Sequence, residues 1–65
     1  MVLSLVSDKR DDAYIMNVAQ KMLQLKYVEE VRLAVSGVEI VLAHESKQKV
    51  LDFIRQREIT TIEVQ

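Results

Sequence analysis

Cysteine and proline are absent from this 65-residue chain, tryptophan is absent, and glycine occurs once. Without cysteine there is no disulfide framework, no thiolate metal site and no sign of an oxidising compartment. A single glycine argues against a phosphate-cradling loop, which needs several so that the backbone can approach the anion. Charge of one sign is also missing: nine Lys and Arg stand against ten Asp and Glu, a net charge of −1. A nucleic-acid binder is expected to be basic. No apolar run approaches the ~20 residues that cross a bilayer. The opening Met1-Val-Leu-Ser-Leu-Val is apolar for six residues only, with no basic residue before it and an acidic stretch after it, unlike a signal peptide. These features lead to the expectation of a soluble cytoplasmic protein with no membrane and no nucleic-acid partner.

What is present is hydrophobic patterning, at 49% of the residues. Length and even composition indicate a single domain, residues 1–65. Val2 to Val6 reads as a short strand. Ser7-Asp-Lys-Arg-Asp-Asp then reads as a helix entrance, where Ser7 or Asp8 can cap and Asp11 and Asp12 place negative charge in the first turn. From there to Lys26, Ile15, Val18, Ala19, Met22 and Leu25 recur at helical spacing. After Tyr27-Val28 the period changes to two. Val31, Leu33 and Val35 alternate, Ser36-Gly37 supplies a turn, and Val38, Ile40 and Leu42 alternate again, which predicts a hairpin. His44-Glu45-Ser46 punctuates, with Ser46 as a cap. Val50, Leu51, Phe53 and Ile54 mark a second helix over Lys47 to Arg57, and Ile59 to Val64 reads as a closing strand.

Strand, helix, strand, strand, helix, strand predicts an α+β fold: a ferredoxin-like βαββαβ sandwich, in which a four-stranded antiparallel sheet carries two helices on one face, with the first and third strands central. The segment Tyr27-Val-Glu-Glu-Val-Arg-Leu-Ala-Val-Ser-Gly-Val-Glu-Ile-Val-Leu resembles the middle hairpin of heavy-metal-associated domains. That resemblance implies the fold. Metal transfer in that family rests on a Cys-x-x-Cys pair entering the first helix, and here Ser7-Asp8-Lys9-Arg10 stands in its place. In outline the chain is also similar to ACT-type regulatory domains, which bind small effectors at dimer interfaces. Their Gly-containing loop after the first strand has no counterpart here.

Chemistry-bearing residues are few. Asp8, Asp11 and Asp12 are read as cap and dipole partners rather than as ligands for a divalent cation. His44 beside Glu45 gives two candidate ligands where zinc needs three or four, and no nucleophile, base and oxyanion set is present. The chain is therefore read as no enzyme, without a cofactor. RNA-recognition domains of the same element order stack bases on aromatic residues of the central strands. Tyr14, Tyr27 and Phe53 all lie on or beside helices.

If Leu3, Leu5, Val31, Leu33, Val35, Val38, Ile40, Leu42, Ile62 and Val64 face the helices, the other sheet face carries Val2, Ser4, Val6, Val41 and Ala43 at its centre. Glu30, Arg32, Ala34, Thr61 and Glu63 then lie at its edges. An apolar centre of this kind marks an interaction surface. Its expected members are Val2, Ser4, Val6, Arg32, Ala34, Val41 and Ala43. A chain of this size buries little surface and has no disulfide, so a partner is expected, most economically a second copy. The functional expectation is a regulatory or adaptor module that forms a homo-oligomer, dimer or higher, or contacts another protein, through this face or by strand pairing along Val31 to Val35 or Ile59 to Val64. The alternative is a metabolite sensor whose site lies between subunits around Ser7, Asp8, Lys9 and Arg10.

Overall fold

The strands occupy Val2–Val6 (β1), Glu30–Leu33 (β2), Val38–Val41 (β3) and Thr60–Val64 (β4). Helices run over Asp12–Gln24 (α1) and Lys47–Arg55 (α2), the second entered through a 3-10 turn at His44–Ser46. The structure, a computed structural model, describes residues 1–7, 9, 11–35 and 37–64. All strand pairs are antiparallel, in the order β2-β3-β1-β4, so β1 and β3 are central and β2 and β4 form the edges. The architecture is α+β, with one sheet and two helices.

The core follows from the two periodicities. Along β1, Leu3 and Leu5 are 2% and 0% exposed and alternate with half-buried Val2, Ser4 and Val6. Val38, Ile40 and Leu42 bury beside them, and Ile15, Val18, Ala19 and Met22 of α1 and Val50 and Ile54 of α2 join the same cluster. Side chains from both helices thus cover one face of the sheet. Val28 and Ile59, which lie just ahead of β2 and β4, are also buried in it.

The helix ends are where the expected boundaries change. Asp11, in extended backbone, caps α1: its carboxylate accepts from the Tyr14 amide at 2.9 Å, and its carbonyl takes the first helical bond from Ile15. The cap is therefore Asp11 and not Ser7, whose hydroxyl is used elsewhere, while Asp8 lies outside the described residues. Ser46 makes no side-chain cap bond, because the preceding 3-10 turn already holds it in helical backbone, with its amide donating to the Ala43 carbonyl at 3.0 Å. Helix α1 closes at Leu25, followed by Lys26 at φ +63°. The Lys26 amide bonds Leu23 O at 3.1 Å and the Tyr27 amide bonds Met22 O at 2.9 Å. This is the paired closure that usually takes glycine at the left-handed position. A second non-glycine residue, Glu58 at φ +59°, turns the chain from α2 into β4. Here Arg57 donates to the Phe53 carbonyl, satisfying an acceptor left open at the helix end.

Gly37, at φ +89°, sits where the sheet admits no side chain: a Cβ there would lie 2.6 Å from the Leu5 carbonyl oxygen. The hairpin is closed by the Ala34 amide on Gly37 O at 3.2 Å, and Ser36 lies outside the described residues.

Candidate interaction surface

The face of the sheet away from the core can be written row by row from the register. Glu30, Val41, Val2 and Val64 form one row across the four strands, and Arg32, Glu39, Ser4 and Ile62 form the next. In β1 and β4, Val6 and Thr60 continue the grid. The face divides into two parts. Val2, Val6, Val41, Ile62 and Val64 make an apolar area around the Ser4 and Thr60 hydroxyls, while Glu30, Arg32 and Glu39 make a charged margin on the β2 side.

Burial grades this surface. Val2, Ser4, Val6, Val41 and Val64 are half-buried by their neighbours in the sheet, and Ile62 is 55% exposed. Arg32 is exposed and forms an ion pair with Glu30 in the same strand. Ala34 and Ala43 fall past the ends of β2 and β3, at opposite ends of the sheet, and are half-buried there. The structure thus brings Val2, Ser4, Val6, Arg32 and Val41 onto one face and leaves the two alanines beyond the strands.

One strand is the reverse of its expected facing. Register sets Ser4 opposite Ile62 and Leu5 opposite Thr61, so Ile62 and Val64 point to the open face while Thr61 and Glu63 lie on the helix side. Glu63 there meets Lys47 of α2 at 3.3 Å. The signal that fixes this parity is Ile59: it is buried, and two-residue alternation from it puts 61 and 63 on the covered side. Leu33 and Val35 also differ from expectation, at 80% and 109% exposure. Leu33 is opposite the fully buried Val38, on the covered side, but the helices do not extend over this end of the edge strand.

Of the four residues of the expected ligand loop, Ser7 and Lys9 are placed. Ser7 donates its hydroxyl to the Glu58 carbonyl at 3.0 Å and accepts from the Lys9 amide at 3.2 Å, and Lys9 Nζ stands 3.7 Å from the Glu58 carboxylate. Asp8 and Arg10 lie outside the described residues. A hollow of about 470 Å³ opens beside Ser7 and Lys9, with Arg55, Thr60 and Thr61 on its wall and Leu51, Ile54 and Ile59 beneath. The two contacts to Glu58 pin the exit of β1 to the entry of β4, and the Lys9 amide bond holds the turn after Ser7, a structural use for polar groups that the sequence alone offered to a ligand.

His44 is exposed at the start of the 3-10 turn. Among the described residues no group of three His, Asp or Glu side chains gathers as a metal site. Tyr27 and Phe53 pack edge to face at 5.8 Å, and the Arg57 guanidinium covers the Phe53 ring at 3.8 Å, so two of the three aromatics are tied up in the helix layer. Among the described residues no helix is long and apolar enough to cross a membrane. No family model, curated protein or solved structure matches the chain. What the surface can do must be read from its own chemistry.

Proposed function

We propose that the chain is a ferredoxin-like βαββαβ domain serving as a small non-catalytic regulatory or adaptor module, which works by self-association or protein contact with its open sheet face as the working surface. The element order and the central placement of β1 and β3 support the fold reading. The observation that carries the functional reading is the continuous run of Val41, Val2, Val64, Ile62 and Val6 across three adjacent strands, bordered on one side by Glu30, Arg32 and Glu39. An apolar centre beside a charged margin is the composition of a protein interface.

Light scattering on the eluting protein at about 100 μM, well above the micromolar range of weak complexes, tests this. A dimer or higher oligomer is expected. A monomer at that concentration that unfolds cooperatively with a high midpoint would overturn the self-association.

A further inference from the structure

The two edges of the sheet offer a second strand different things. β2 is four residues long and points Glu30 and Arg32, already ion-paired, to the open face. Short edges lined with charge resist strand addition. β4 is five residues long, pairs with β1 alone among the described residues and contains no proline; its one charged residue, Glu63, lies on the helix side and is paired with Lys47, so its open side carries no charge, and Ile62 at its midpoint is 55% exposed. A row of backbone donors and acceptors along its outer side is therefore without a strand to bond.

Symmetry restricts how two such edges can join. A two-fold axis normal to the sheet sets open face beside open face, so residues opposite each other must come from the same face and the axis must pass through a residue. With the axis at Ile62, Thr60 faces Val64, Thr61 faces Glu63 and Ile62 faces its own copy, and all five residues are used. An axis at Glu63 would set two carboxylates against each other, which destabilises a strand pair. An axis at Thr61 would oppose Glu63 to Ile59, which is held in the core.

We propose that the chain dimerises by antiparallel pairing of β4 with β4 of a second copy, its two-fold axis at Ile62. This rests on the self-association reading above, and it moves the contact between copies from the open face to the edge. The two sheets become one of eight strands. Val2, Val6, Ile62 and Val64 of both copies meet in its middle, Glu30, Arg32 and Glu39 move to its far margins, and the enlarged open face is left for another protein.

Thr61 separates this arrangement from a face-to-face stack, because it lies on the helix side and faces Glu63 of the other copy only in the β4 pairing. The dissociation constant of the full chain is measured by sedimentation for wild type, Thr61→Lys, Thr61→Glu and Val41→Glu. Lysine at position 61 should tighten the dimer and glutamate should weaken it, each by about two- to thirtyfold for a cross-strand charge pair that occurs twice per dimer. Val41→Glu should leave the constant within about twofold, less than one such pair contributes. Amide exchange on the wild-type chain gives a readout independent of how the variants fold: protection over residues 60–64 should rise with concentration. A dimer that ignores both Thr61 substitutions, or shows no concentration-dependent protection in that segment, overturns the β4 pairing while self-association stands. Loss of the dimer in Val41→Glu alone would instead place the contact on the open face. A wild-type monomer removes both readings together.

Discussion

Within β1, Leu3 and Leu5 are 2% and 0% exposed, while Val2, Ser4 and Val6, one residue to either side, lie on the open face and are half-buried. The same strand therefore has one side under α1 and α2 and one side against solvent. The difference between the sides is not hydrophobicity, since both carry branched aliphatic residues. Cover decides it: Leu33 is on the covered side by register yet 80% exposed, because nothing overlies that corner. Apolar residues that the helices actually overlie are held by packing from every direction, whereas those on the open side are only flanked by their neighbours in the sheet.

The largest expected effect comes from testing that contrast within one strand. Leu5→Ala should cost about 2–5 kcal/mol, the range for removing a fully buried leucine side chain, against a total of about 5 kcal/mol at the low end for a domain. Val6→Ala, its immediate neighbour, should cost less than about 1 kcal/mol, since only part of its side chain leaves water. Urea unfolding of the two variants measures both. Equal midpoints would break the comparison.

Gly37→Ala comes next, at about 1–3 kcal/mol, because an alanine at φ +89° is strained and its Cβ would press on the Leu5 backbone oxygen rather than on a side chain that can swing away. That outcome would show the end of the open face to be closely packed in its backbone although its side chains are not. The smallest effect is expected away from both faces. Lys26→Gly relieves a lysine held at φ +63° and should stabilise by up to about 1 kcal/mol, reduced by the freedom glycine adds to the unfolded chain. For a domain of this length that is an upward shift of at most about 4–8 °C in Tm, read by calorimetry.

Much of this was legible in the residues, and the exceptions have physical causes. The span Val2–Val6 and the α1 stripe of Ile15, Val18, Ala19 and Met22 come directly from spacing, because both elements pack one side against the core over their whole length. Leu25 fits the same stripe yet is 46% exposed, since it is the residue at which the helix closes. Asp8 and Asp11 precede α1 and Asp12 opens it, so spacing alone allows the helix to start early, with Ser7 or Asp8 as cap; the cap is Asp11, which has extended backbone three residues before the Tyr14 amide. For β4, the apolar pair Ile62 and Val64 suggested burial. The chain instead enters through buried Ile59, which puts Thr61 and Glu63 on the covered side and hands Ile62 and Val64 to the open face. The central members of that face, Val2, Ser4, Val6 and Val41, follow from alternation alone. Glu30 and Arg32 at the β2 edge follow in the same way, whereas Thr60, Ile62 and Val64 at the β4 edge required the register.

The central position of β1 also orders the folding reaction in time. Its partners are Val38–Val41 and Thr60–Val64, so completing the sheet closes nearly the whole chain into a loop, whereas β2 and β3 are neighbours in sequence. Closure entropy must be met before distant pairs contribute, so the hairpin is expected to form early and β4 to dock last. Until it docks, Val-Leu-Ser-Leu-Val is itself an unpaired edge of high β-propensity and no charge, and the risk of aggregation is concentrated in that interval. Substitutions in β4 should then speed unfolding more than they slow folding.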